Sequence, residues 1–141
     1  MRVWTWLVAL VLALAVPASA APVGDEPSLV GIWYGIGEPD DPDIAYLDAY
    51  HADGTYEAAF RKCQYGEEVW RQTASGKWTY KDGVLQMISE TVDGKPAVYD
   101  SSYTIELLTE TEFRARLHEP IYLFIERRVD KFEFPPCYLG A

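Results

Sequence analysis

The sequence predicts an all-β protein, a small antiparallel up-and-down β-barrel of eight or nine strands, and three observations carry that prediction. Short runs with an apolar-polar period of two follow one another along most of the chain. Turn residues, among them the pairs Asp53-Gly54, Asp82-Gly83 and Asp93-Gly94, separate these runs, and each Asp-Gly pair predicts a hairpin whose two central residues have positive φ. No long stretch after Pro22 carries the three-to-four spacing of an amphipathic helix. So many antiparallel strands leave two open edges unless the sheet closes on itself. Connections of a few residues suit such a meander better than the longer crossings of a two-sheet sandwich, which is the alternative.

The first element is not part of the barrel. Arg2, an apolar run over Val3 to Val16 and the small residues Ala18-Ser19-Ala20 have the three parts of a secretory leader, with cleavage expected after Ala20. Pro17, Pro22, Gly24 and Asp25 end the run short of the ~20 apolar residues that a membrane-spanning helix needs. The expected organisation is therefore a signal peptide over 1–20, an N-terminal extension over 21–27 and a barrel with a C-terminal tail over 28–141. That places the mature protein in the periplasm or outside the cell.

Strands are expected near 28–36, 44–51, 55–64, 68–74, 77–81, 84–92, 98–108, 112–118 and 121–128. The clearest has Phe113, Ala115 and Leu117 facing one way and Glu112, Arg114, Arg116 and His118 the other. Leu85, Met87 and Ser89 alternate in the same manner with Gln86, Ile88 and Glu90, and Tyr103, Ile105 and Leu107 with Thr104 and Glu106. One face is built for a core and one for water.

Acidic residues outnumber basic ones by 22 to 12, a formal charge of −10 that argues against nucleic acid and anionic membrane surfaces as partners. The expectation is a monomer with no stable membrane anchor and no cofactor. Outside the cytoplasm the two cysteines, Cys63 and Cys137, are expected to pair and tie down the tail; neither C-x-x-C spacing nor clustered histidines favour a redox or metal pair. Closing so long a loop restricts the unfolded chain by up to about 4 kcal/mol.

Leu29-Val30-Gly31-Ile32-Trp33-Tyr34 opens the barrel with Gly-x-Trp, Ala52-Asp53-Gly54-Thr55-Tyr56 follows, and Gly76-Lys77-Trp78 repeats the motif. Tyr103 to Leu108 then leads through Thr109-Glu110-Thr111 into Glu112-Phe113, and the last strand ends on Phe124-Ile125-Glu126-Arg127-Arg128. In this order of features, from Leu29 to Arg128, the chain resembles bacterial lipocalin-like domains, relatives of the calycin group. The resemblance implies that Trp33 sits at the closed end of a barrel with Arg127 or Arg128 packed across its ring, both in structural roles. It also implies a C-terminal segment fastened to the barrel wall by a disulfide, in agreement with the pairing of Cys63 and Cys137.

Ten Tyr, five Phe and three of the five Trp are available for the interior, since Trp4 and Trp6 fall within the expected leader. They could line a pocket for an apolar ligand, with Tyr46, Phe60, Trp78, Met87 and Phe113 as the candidate contacts. The expectation, however, is that they fill it, because an eight-stranded barrel is only just wide enough for its own side chains. Glu38-Pro39-Asp40-Asp41-Pro42-Asp43 lacks the glycine and ordered spacing of a calcium loop and reads as a stiff surface connection. His51 and His118 end outward-facing runs without a nucleophile elbow, carboxylate pair or phosphate loop nearby, so no catalytic site is expected. The functional expectation is an exported, non-catalytic binding protein for a small apolar ligand or an envelope protein partner. The alternatives are a filled barrel acting as an interaction module or protease inhibitor, and an enzyme of unknown class.

Overall fold

A computed structural model describes residues 27–139, so the leader over 1–20 and most of the extension lie outside the described residues. The strands are β1 Gly31–Ile36, β2 Ile44–Tyr50, β3 Thr55–Gln64, β4 Glu67–Lys81, β5 Val84–Val92, β6 Lys95–Pro96, β7 Asp100–Leu108, β8 Glu112–His118 and β9 Ile121–Val129. Every neighbour pairing is antiparallel, and β9 returns to pair with β1. Eight strands thus close into an up-and-down barrel, and β6 is a short addition that pairs with the end of β5. Among the described residues the single helical element is the 3-10 turn Cys137–Leu139.

Two expected strands, 68–74 and 77–81, are one continuous strand, β4. Gly76 marks a register irregularity rather than a break: β5 carries Glu90 as an extra residue opposite the Ser75–Gly76 step. A Cβ on Gly76 would collide with the backbone of Ile88 and Ser89, so the glycine is required by close strand approach. A second bulge corrects the inward set of β7. Glu106 is the extra residue there, which swings Leu107 out of the inward row and packs Leu108 against the core.

Two of the three Asp-Gly pairs have both central residues at positive φ, Asp82-Gly83 between β4 and β5 and Asp93-Gly94 between β5 and β6. Asp53-Gly54 departs from that form, because only Gly54 is left-handed. The Asp53 carboxylate instead accepts from the backbone N–H and hydroxyl of Thr55 and shapes a longer connection. A further tight turn of the same left-handed type joins β3 to β4 at Tyr65-Gly66.

One end of the barrel is plugged. Trp33 is wholly buried, meets Phe113 edge to face at 4.8 Å and donates from its indole N–H to the Leu29 carbonyl at 2.8 Å. Tyr50, Leu85 and Phe113 complete the plug with Trp78, whose ring packs edge-on against Tyr50 at 5.4 Å. On the outside, the tail crosses β3 and β4. Cys63 and Cys137 form a disulfide with their Cα atoms 5.6 Å apart, Arg61 donates to the Pro135 carbonyl, and the guanidinium groups of Arg61 and Arg71 lie on the Phe134 ring. Alternation makes this arrangement necessary: Tyr56, Ala58 and Phe60 face inward along β3, so Arg61 and Cys63 face the tail.

Candidate binding cavity

The aromatic residues do not fill the interior. Above the plug the barrel encloses a cavity of about 290 Å³, contrary to the filled interior expected from strand number. The reason lies in the small residues facing it, Ala58, Ala74 and Ala115, which leave free the space that larger side chains would take. The cavity reaches the end opposite Trp33, where Glu38 of the β1–β2 connection and the largely exposed Tyr99 border it.

Of the residues expected to contact a ligand, Tyr46, Phe60, Met87 and Phe113 line this cavity. Trp78 stands outside the lining, behind Tyr50, and donates its indole N–H to the His51 carbonyl. Trp33 and Arg128 meet at the plugged end, with the guanidinium carbon 4.1 Å from the ring centroid. Arg128 also donates to the carbonyls of Ser28, Val30 and Glu110, bracing the chain entering β1 against the β7–β8 connection. Arg127 is exposed and takes no part in this contact. A Cβ on Gly31 would run into the Arg128 side chain, which explains a glycine at that position.

The interior also holds carboxyl groups, which are not among the expected ligand contacts. Asp48 on β2 and Glu126 on β9 are buried and line the cavity, and Glu38 joins them near the mouth. Gly35 pairs with Tyr46 on one side and Glu126 on the other, so these two side chains flank the glycine at one level. A Cβ on Gly35 would fall within the Tyr46 ring, so the glycine is what lets the tyrosine lie flat across β1. Asp48 lies two residues along β2, in register with Trp33, deeper towards the plug. Parity held the signal for both acids: Asp48 shares the inward row of Tyr46 and Tyr50, and Glu126 that of Phe124.

Burial raises the Asp48 carboxyl above the usual range, and Glu38 adds to the effect; burial and then the charge of Asp48 raise Glu126 further. Desolvation also raises the phenols of Tyr46 and Tyr50, and those of Tyr56 and Tyr103 to about 12. One oxygen of Glu126 and the Tyr46 hydroxyl are buried without a hydrogen-bond partner in the protein. Neither Lys, Arg nor His lines the cavity, so its acids face no protein cation among the described residues. The two histidines lie elsewhere, His51 beside Glu57 at 3.3 Å and His118 beside the Thr104 hydroxyl at 2.8 Å. Among the described residues no group of three His, Cys, Asp or Glu side chains is placed to hold a metal ion, and that includes the acidic β1–β2 connection.

The chain matches no protein-family profile, and a search of curated proteins finds no match. The cavity's own chemistry is therefore the basis for a functional reading. Its lining combines carboxyl and hydroxyl oxygens with aromatic side chains, within a wall of paired strands.

Proposed function

We propose that the chain is an exported, non-catalytic, lipocalin-like binding protein that holds a small molecule inside its barrel. The observation that carries this reading is the cavity of about 290 Å³ above a packed plug, close to the ~300 Å³ at which ligand pockets begin. Export is supported by the leader-like residues 1–20 and by the Cys63–Cys137 disulfide, which suits an oxidising compartment. A saturable rise in the fluorescence of N-phenylnaphthylamine, a neutral apolar probe, is the expected result for the mature protein. Ala58→Leu and Ala115→Leu push side chains into the cavity and should abolish that rise while cooperative unfolding persists. Absence of any saturable signal, or a signal that both variants leave intact, would count against an interior site.

A protein partner at the open end is the second reading. Tyr65, Val98, Tyr99 and Ile121 belong to the connections and strand starts at that end, and all four are strongly exposed. An apolar rim of this kind suits contact with another envelope protein.

A further inference from the structure

We infer that the guest of this cavity is an amphipathic organic cation, whose ammonium group is received by Asp48 and Glu126 and whose apolar body packs on the aromatic wall. The inference rests on the interior-site reading above and names the chemical class that site would take.

Three carboxyl-bearing side chains, Glu38, Asp48 and Glu126, reach the cavity, and no basic side chain lines it. A buried carboxylate without a counter-charge is strongly unfavourable, so beside a neutral guest Asp48 and Glu126 either stay protonated or ionise at that cost, and an anionic guest raises the cost further. A cation removes it. The unpartnered oxygen of Glu126 and the unpartnered hydroxyl of Tyr46, both on residues less than one-tenth exposed, are a separate observation pointing to the same place. They supply acceptors for the N–H groups of an ammonium ion. A divalent metal is a poorer occupant, because the acids do not converge as a metal-binding group.

The walls suit the rest of such a guest. Tyr46, Tyr103 and Phe124 line the cavity, and Phe124 packs edge to face on both tyrosines and on Tyr122, which stands outside the lining. Aromatic faces attract a desolvated cation as well as an apolar body. The acidic connection Glu38-Pro39-Asp40-Asp41-Pro42-Asp43 stands at the open end, and of its carboxylates Asp41 is engaged by Lys62 at 2.7 Å. Its remaining charge favours the approach of cations and disfavours anions. The volume suits a body of one or two fused rings.

Calorimetric titration with three indoles of nearly the same body tests the charge directly: tryptamine (cationic), tryptophol (neutral) and indole propionate (anionic). Tryptamine should bind about tenfold tighter than tryptophol or better, a difference of roughly 1.4 kcal/mol, and indole propionate should not bind. The double variant Asp48→Asn, Glu126→Gln keeps the side-chain shapes and should bring tryptamine to the affinity of tryptophol while cooperative unfolding persists. Equal binding of tryptamine and tryptophol, or uptake of the neutral probe with none of the indoles bound, overturns the cation inference and leaves the interior site standing. Failure of the neutral probe together with all three indoles removes both. A preference for tryptamine that survives in the double variant overturns the assignment to Asp48 and Glu126.

Discussion

Trp33 holds the plugged end together through three kinds of contact that a smaller side chain could not make at once. Its ring packs on Phe113, its N–H satisfies the Leu29 carbonyl, and its face carries the Arg128 guanidinium. Trp33→Ala should cost about 3 to 5 kcal/mol, from lost burial and the cavity left behind, read as a lowered urea midpoint. A loss under about 1 kcal/mol would show that the ring does not support the fold. The choice between Arg127 and Arg128 was open at the level of sequence because either follows Glu126 closely. Pairing decides it: Arg128 is in register with Trp33, whereas Arg127 is in register with Tyr34 and Glu112. An acidic residue is ordinarily exposed, so in the sequence only the parity of their neighbours marks Asp48 and Glu126 as inward.

At the scale of the strands, period-two alternation made most of the barrel legible, and the corrections all involve an extra residue or a turn that alternation does not report. Glu106 and Glu90 each add one residue to a strand, which moves Leu107 off the core row and lets β4 run through Gly76. The Tyr65-Gly66 turn lacked an Asp or Asn to announce it, yet Tyr65 takes φ of 52° and is fully exposed. Tyr65→Asn should therefore stabilise the protein by about 0.5 to 1 kcal/mol, since asparagine tolerates the left-handed region that tyrosine resists. An unchanged or lower thermal midpoint would place a packing role on the tyrosine ring. The tail is the other element whose hold can be tested. The disulfide spans a sequence separation of 74, and Cys137→Ser should lower stability by about 2 to 4 kcal/mol. Limited proteolysis should then cut between Val129 and Cys137 well before the barrel, and a tail equally resistant in the variant would assign its hold to Arg61, Arg71 and Phe134 alone.

The whole barrel joins two ends of opposite energetic character. The plugged end buries Trp33, Tyr50, Leu85 and Phe113 and favours folding, while the cavity end buries carboxyl groups that oppose it once they ionise. That division has a pH signature with a definite sign. Burial holds Asp48 and Glu126 above their ordinary values in the folded chain, facing Glu38 from the β1–β2 connection and the phenols of Tyr46, Tyr50, Tyr56 and Tyr103. The folded state thus binds more protons than the unfolded one above the ordinary carboxylate range, so this contribution is complete below that range and is lost as pH rises through the raised values. Hydrogen bonds lower the carboxyls of Asp41, Asp53, Glu68 and Glu106, which act in the opposite sense and lose stability only as pH falls below their ordinary values. Stability of the unliganded protein should accordingly be greatest in mildly acidic solution and decline towards neutral and mildly alkaline pH. Urea midpoints measured across that interval should fall for the native sequence and stay nearly level for Asp48→Asn, Glu126→Gln, with the variant the more stable of the two on the alkaline side. A native midpoint that is level or rising with pH, or a decline that persists unchanged in the double variant, would show that these two carboxyls are not the groups that oppose folding.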